Sequence, residues 1–467
     1  MNILDKLSIS GKIVLPIIEG GKGIGVSNGE TAGAFAAAGA VGTFSGVFPQ
    51  VIDDNGEIIP LIFKGKNRKE RFEEIIDHCI KGCISQAQIA SDIAKGNGRI
   101  HINILWGMAG AERILNGVME SAKDKIHGIT CGAGMPYKLA DIAEKYKTYY
   151  YPIVSSTRAF RALWMRSYNK FSDLLGGVVY EDPWKAGGHT GLTQKDNPDV
   201  EEDPFHRVRE IRQYMNKVGL EKTPIIIAGG VWYLNKFKDL IDNIEIGPIA
   251  FQFGTRPMLT QESPISTRWK EKLFSLTRKD VTLNKFSPTG FYSSAVNNEF
   301  LIELKERSKR QIDFRNESDS EFNTAISLKS DAKPIYVKSI DTNRIDEWKS
   351  NGFSVGLKTP DSTIVFVSSE KATQIRDDQR NCKGCLAGCK FSSWMQSPET
   401  NYSTGEIPDP RSYCIQGTLQ NIIQDDNIDN QLMFSGSNVF NFSKDSLFSK
   451  GYIPTIKEMI QRILNGK

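Results

Sequence analysis

Between Ile13 and Phe253 the chain repeats one pattern eight times: a short apolar run closed by small or polar residues, followed in most cases by a longer amphipathic stretch. The runs are Ile13–Ile18, Val41–Ser45, Ile100–Leu105, Gly128–Cys131, Tyr149–Ser155, Gly177–Tyr180, Pro224–Ala228 and Ile249–Phe253. Between them, Glu30–Ala38, Arg71–Lys95, Met108–Lys123, Tyr137–Lys145, Thr157–Lys170 and Pro204–Lys217 read as helices. A run of four to eight apolar residues without alternation suits a strand buried on both faces, as in a parallel sheet. Alternation of such strands with helices argues for parallel βα units, and eight units argue for a closed (β/α)8 barrel. An open, doubly wound sheet is the alternative arrangement of the same units.

The pattern stops near Ser266. Trp269–Leu276 and Glu299–Arg310 read as helices, Pro334–Lys338 as a strand, and Ser354–Lys358 and Thr363–Ser368 as strands joined by the turn Thr359-Pro360-Asp361-Ser362. Asn316–Ser320 is a polar linker or exposed loop, and Pro454–Leu464 closes the chain as a helix. The expected organisation is therefore an α/β TIM barrel over 1–275, an α+β appendage over 276–380, and a cysteine-bearing region with a terminal helix over 381–467. With 39% hydrophobic and 24% charged residues the composition is that of a soluble globular protein. A net charge of +4, with basic and acidic residues interleaved, gives no reason to expect nucleic acid. No run is long and apolar enough for a membrane span, and Met1–Lys6 lacks the apolar run of a signal peptide. Seven cysteines without such a signal fit a reducing compartment, which points to the cytoplasm.

Ala186-Gly187-Gly188-His189-Thr190-Gly191 follows the sixth run. Gly187 and Gly188 let the backbone approach a ligand, and His189 stands where a barrel strand meets its loop, the place where such enzymes keep acid–base groups. The seventh run ends in Gly229-Gly230 and the eighth in Gly254-Thr255-Arg256. Glycines there expose N–H groups to a phosphate, and the threonine hydroxyl adds a donor. Arg256 either neutralises that charge or pairs with a surface carboxylate. The first run ends in Glu19-Gly20-Gly21-Lys22-Gly23-Ile24-Gly25, which is neither a Walker loop nor a dinucleotide fingerprint. A glycine-rich loop at a barrel mouth suits a flat ring such as a flavin. Lys22 either places positive charge beside that ring or is solvated, and Asn103 either hydrogen-bonds the ring or caps a turn.

These residues, taken with Leu15–Ile18, Pro152-Ile153-Val154-Ser155-Ser156, Ile227-Ala228-Gly229-Gly230-Val231 and Phe251–Arg256, resemble the nitronate monooxygenase (2-nitropropane dioxygenase-like) family of FMN-dependent barrels. That family also takes in the FMN-type enoyl-acyl-carrier-protein reductases. The resemblance covers roughly residues 10 to 262. It implies a TIM barrel with bound FMN, the phosphate on Gly229, Gly230, Gly254 and Thr255, and His189 facing flavin and substrate as a proton shuttle. An imidazole, with an ordinary pKa of about 6.5, can take or give a proton near neutrality. Many family members carry a methionine in the first loop after Gln-Ala-Pro or Gln-Gly-Gly. Here that segment is Ile18-Glu19-Gly20-Gly21-Lys22, so the resemblance speaks to the cofactor more than to the substrate. His78, His101, His127 and His206 lack a comparable context and read as structural or exposed.

Cys382, Cys385 and Cys389 lie within one short glycine-rich segment, and Cys414 follows at a distance. Four thiolates can complete a [4Fe–4S] cluster or a structural zinc site. Zinc ribbons usually present two separate pairs, whereas three cysteines plus one remote cysteine is the commoner iron–sulfur arrangement. The spacing also resembles the cluster motif of flavin barrels of the dienoyl-CoA reductase type, although the rest of the chain does not. Free thiols or a redox disulfide are the remaining alternative. Cys79 and Cys83 read as buried small side chains, and Cys131 either touches flavin or substrate or simply packs.

The expected function is an FMN-dependent oxidoreductase of the nitronate monooxygenase type acting on a small molecule, with His189 as proton shuttle and an auxiliary [4Fe–4S] cluster on Cys382, Cys385, Cys389 and Cys414. Reduction of an enoyl or otherwise unsaturated substrate is the chemical rival, and a flavin barrel with a zinc-stabilised partner-recognition module is the other alternative. No separate dinucleotide-binding domain is visible, so NAD(P)H would reach the flavin at the barrel mouth, or a protein donor would deliver electrons singly through a cluster. Use of O2 would gain little from an oxygen-sensitive cluster. The sequence is compatible with a homo-oligomer.

Overall fold

The computed structural model describes residues 4–193, 195–328, 333–423 and 427–466. Its centre is a closed barrel of eight parallel strands, β1 (Ile17–Glu19), β2 (Val41–Ser45), β3 (Arg99–Leu105), β4 (Gly128–Gly132), β5 (Tyr149–Val154), β6 (Val178–Glu181), β7 (Ile225–Ala228) and β8 (Ile249–Phe253). The strands neighbour one another in chain order, and β8 closes the barrel on β1 through the pairs Phe251–Ile17, Gln252–Ile18 and Phe253–Glu19. One helix follows each strand: α1 (Gly29–Ala37), α2 (Arg68–Ala94), α3 (Ala111–Ala122), α4 (Leu139–Tyr146), α5 (Thr157–Arg166), α6 (Pro204–Lys217), α7 (Lys238–Ile241) and α8 (Thr267–Ser275). Every residue of β2, β4, β7 and β8 is buried, which is why these strands read as unbroken apolar runs. The helices start where side chains can satisfy their first N–H groups: Asn28, Asn67, Ser156 and Asp203 accept from the first turns of α1, α2, α5 and α6.

The first apolar run does not form one strand. It divides at Leu15-Pro16 into an outer strand, Lys12–Val14, and β1. Pro16 has no N–H for a ladder, though its carbonyl accepts from Phe251 N at 3.0 Å. Lys12–Val14 pairs with Leu7–Ile9 as a hairpin that stops the end of the barrel at which the strands begin. Ile9 and Val14 insert among Val41, Tyr151, Val179, Ile226 and Ala250, while Ser10 Oγ bonds Tyr151 Oη at 2.7 Å and His101 Nε2 at 2.9 Å. Gly42 allows α1 to lie against β2, because a Cβ there would stand 1.8 Å from the Ala32 carbonyl oxygen.

Beyond α8 the chain forms an α+β extension. A hairpin of Val281–Asn284 and Ser293–Val296 takes Gly188–His189 as a third strand. An antiparallel sheet of Gln311–Asp313, Thr363–Val367 and Val355–Lys358 has a small core of its own, including Ile312, Phe314, Val337, Ile345 and Phe366. The polar stretch Asn316–Ser320 is exposed. The helix Ile456–Leu464, capped reciprocally by Thr455 and Glu458, returns to the barrel and buries Met459, Ile460 and Ile463 in the main core. No helix among the described residues is long and apolar enough to cross a membrane.

Candidate active site

At the carboxyl ends of the strands the loops surround a cleft lined by Gly20, Gly21, Lys22, Asn103, Gly187, Gly188, His189, Gly229, Gly230, Gly254 and Thr255. The barrel thus brings together the glycines, Lys22, Asn103, Thr255 and His189 singled out above for cofactor and proton chemistry. The glycines have work that a side chain would obstruct. A Cβ on Gly21 would lie 2.3 Å from Asn103 Cγ, and Gly229 and Gly230 hold φ of +79° and +72°. Asn103 is buried at the end of β3 and offers its amide to the cleft.

Two charged side chains of these loops have buried partners. Lys22 lines the cleft and is not solvated: its Nζ pairs with Glu19, which also accepts from Thr43 N at 3.1 Å, and both side chains are buried. Arg256 turns away from the cleft into the core. Its Nη2 donates to Asp445 Oδ2 at 2.9 Å, its Nη1 donates to the Trp232 carbonyl at 2.6 Å, and both charged side chains are 0% exposed. The carboxylate that meets Arg256 is therefore buried and comes from the far end of the chain. Thr255 Oγ1 accepts from Gly436 N at 2.9 Å, which leaves its own proton free to donate.

Several lining residues carry no local signal in the sequence. Phe434, Gly436 and Asn438 form part of the wall, and Asn438 Nδ2 donates to the Gly230 carbonyl. Gly187 passes so near this segment that a Cβ would stand 2.7 Å from Gly436 N. Ser435-Gly436-Ser437-Asn438 are small enough for so close an approach, but no neighbouring residue type names the partner. Cys385 and Leu386 also line the cleft, held by Ala109 N donating to the Cys385 carbonyl at 3.1 Å and Ala387 N donating to the Gly107 carbonyl at 3.0 Å.

His189 stands between this cleft and a second one. Ala133, Ile153, Glu181 and His189 line both. Its Nε2 is 2.7 Å from Ser287 Oγ, its ring packs edge-on to Phe434 at 5.3 Å, and its backbone pairs with Ser293. Burial pushes the imidazole down to about 4, so it is neutral at pH 7. Burial, followed by the neighbouring Asp182, pushes the Glu181 carboxyl up to about 8. At neutral pH the imidazole is thus unprotonated while the carboxyl carries its proton.

Cys382, Cys385 and Cys389 are buried and Cys414 is partly so. Burial raises the Cys385 thiol well above its usual range, and the nearby Cys389, Cys414 and Cys382 raise it further. Cys389 is likewise pushed up to about 11 by burial and then by Cys382. Gly384, at φ +72°, lies against Trp394, whose Nε1 would be 1.8 Å from a Cβ. The four thiols are therefore neighbours, yet among the described residues no group of three or more His, Cys, Asp or Glu side chains is drawn up as a metal site. Cys131 is packed in the core and does not line the cleft, and Cys79 and Cys83 are buried in α2. His101 is buried beneath the barrel and His206 is exposed.

An eight-stranded βα barrel whose loops converge on a cleft at the carboxyl ends of its strands has the architecture of the TIM-barrel enzymes, which keep their sites there. A family model described as nitronate monooxygenase matches residues 73–355. The chain belongs to the nitronate monooxygenase family, and it is a flavin-dependent oxidoreductase. Among solved structures it is similar to FabK from Thermotoga maritima, with 15% identity and a TM-score of 0.51 over 98% of this chain and 93% of that one. It is also similar to the enoyl reductase domain of MlnA from the macrolactin biosynthesis cluster of Bacillus amyloliquefaciens, with 11% identity and a TM-score of 0.55 over 97% and 93%. At these identities the likeness is one of fold. No curated protein matches the chain.

Proposed function

We propose that the protein is an FMN-dependent oxidoreductase in which His189 moves the substrate proton, with a [4Fe–4S] cluster on Cys382, Cys385, Cys389 and Cys414. The observation that carries the reading is the position of His189 on the wall shared by the two clefts. The glycine-lined cleft fits FMN. Gly229, Gly230, Gly254 and Thr255 would hold the phosphate, and Gly20, Gly21, Asn103, Gly187 and Gly188 would lie along the ring. Lys22, paired with Glu19, would hold the first loop in shape. When bound, FMN supplies an electron acceptor or donor able to exchange two electrons with an organic substrate.

The chain's own residues set the proton chemistry. A neutral imidazole accepts a proton from an acidic carbon centre on substrate in the second cleft, and Ser287 Oγ fixes the ring's orientation. Glu181 in its acid form keeps a second negative charge away from the reacting centre. Its ionisation predicts a pH effect: kcat/KM falls as pH rises through about 8. Glu181→Gln, neutral at every pH, should flatten that limb. A limb that survives unchanged in Glu181→Gln would assign it to another group.

The second reading is reduction of an unsaturated substrate with His189 and the flavin acting in the opposite direction. It is favoured by Cys385 lining the same cleft as the glycine loops, since an oxygen-sensitive cluster there suits an anaerobic reductive enzyme. Anaerobically purified protein tests both cofactors. A visible flavin spectrum with about four irons and four sulfides per chain is expected. Stoichiometric zinc without iron would replace the cluster with a structural metal and favour the recognition-module alternative. Bleaching of the flavin by nitroalkanes supports the oxidative direction with His189 as the base, and bleaching by nitronates, which are already deprotonated, supports that direction without the proton step. Reoxidation of pre-reduced flavin by enones supports the reductive one.

A further inference from the structure

The cysteine quartet has an inner and an outer side. Cys385 lines the glycine-lined cleft, whereas Cys414 is partly exposed and stands close enough to Lys383 and Asp378 for their charges to act on its thiol. From that edge Lys383 leads to a surface that the cofactor reading leaves unused. Its Nζ lies over the Phe63 ring at 4.8 Å, and Arg68 Nη2 donates to the Gln379 carbonyl at 2.7 Å. The segment that joins β2 to α2 is thereby fastened beside the cysteines.

That segment is first apolar and then basic. Ile58, Ile59 and Ile62 are 49%, 46% and 72% exposed. Lys64, Lys66, Arg68, Lys69 and Arg71 follow, and Glu70 is the only acidic residue among them. Arg68 and Arg71 are tied to backbone carbonyls, of Gln379 and Gly65. The side chains of Lys64, Lys66 and Lys69 are exposed and make no hydrogen bond or ion pair among the described residues. Glu70 accepts from Lys66 N at 2.6 Å and Glu74 from Lys64 N at 3.1 Å, so these carboxylates hold the backbone of the segment rather than its ammonium groups. Asp378, at the edge of the quartet, faces Lys371 and Lys383. The excess of positive charge is local, since the whole chain carries only +4. A basic patch steers an acidic partner into contact, and a small apolar area beside it suits a brief encounter of the kind electron carriers make.

We infer that the exposed residues between Ile58 and Lys69, together with Lys383, form the docking surface for a small acidic protein that carries single electrons, and that these electrons reach the flavin through the cysteine quartet. The inference rests on the quartet holding a cluster and on the reductive direction of the reaction. Each docking oxidises one carrier by one electron. Two dockings supply the two electrons, and His189 and solvent the two protons, that reduction of one double bond consumes.

Stopped-flow mixing of the anaerobic holoprotein with a reduced [2Fe–2S] ferredoxin of net negative charge tests this. The flavin should bleach at a second-order rate that falls about tenfold or more as salt rises from about 20 to 200 mM. The triple variant Lys64→Gln, Lys66→Gln, Lys69→Gln should slow that rate at least tenfold at low salt. Reduction by the methyl viologen radical, a small cation that needs no docking surface, should be unchanged in the same variant. Equal ferredoxin rates in the native protein and the variant, or failure of the ferredoxin to bleach the flavin, overturns the docking surface. An equal loss with viologen overturns it too, because the lysines would then act on something other than docking. Iron and flavin contents of the same samples keep the claims apart. Flavin without iron removes the cluster and this inference together, whereas a protein holding both, with rates indifferent to the lysines, removes the inference alone.

Discussion

Replacing His189 with alanine is expected to lower turnover by about two to four orders of magnitude, the usual contribution of a positioned general base. The flavin should stay bound. The imidazole meets Ser287 and Phe434, whereas the glycines proposed to hold the cofactor belong to other loops or, for Gly187 and Gly188, act through backbone. The strand pairing of residue 189 with Ser293 also uses backbone alone, so alanine leaves it intact. Stability carries a second signature. The folded pKa of about 4 lies below the ordinary 6.5, so between those values the unfolded chain binds more protons than the native one. Stability from this group is fully present above about pH 6.5 and is lost as pH falls toward 4. His189→Ala should therefore unfold with a weaker pH dependence across that window. Turnover within tenfold of the native enzyme, with flavin retained, would end the proton-shuttle assignment.

Asp445→Ala is expected to cost about 3–5 kcal/mol, the range for breaking a buried ion pair from one side. The Asp445 side chain is 0% exposed and serves four partners: Arg256 Nη2 at 2.9 Å, Trp232 Nε1 at 3.0 Å, Leu447 N at 3.0 Å and Arg462 Nη2 at 3.2 Å. Alanine would leave the Arg256 guanidinium in the core without this carboxylate. Burial already pulls that group down to about 10. Because Arg256 follows Gly254-Thr255, the loss should also loosen the proposed phosphate loop and weaken flavin affinity. Chemical denaturation of the variant measures the stability change, and flavin titration measures the second effect. A loss below about 1 kcal/mol, typical of an exposed pair, would show that the site relaxes enough to hydrate the arginine.

The barrel was legible in the chain because its strands are buried on both faces, so burial alone writes an apolar run at each one. Only the first run misled, and Pro16 is the reason: a residue without an N–H separates the barrel strand from the hairpin below it. The cleft was legible wherever a strand end carried glycines, since close approach of backbone excludes a side chain. For Lys22 and Arg256 the chain left two readings open. Their partners decide what a charge does, and Asp445 is far along the chain.

The sequence by itself determined the βα alternation, the histidine in its glycine-rich loop and the cysteine spacing, because each is written in neighbouring residues. Tertiary structure alone decided that Phe434, Gly436 and Asn438 wall the cleft, that Cys385 lines it, and that Gly191 meets Ser155 just before α5. Those contacts join segments far apart in the chain. Their energy comes from burial and hydrogen bonds that exist only once the barrel has closed, so no local pattern of residue types announces them.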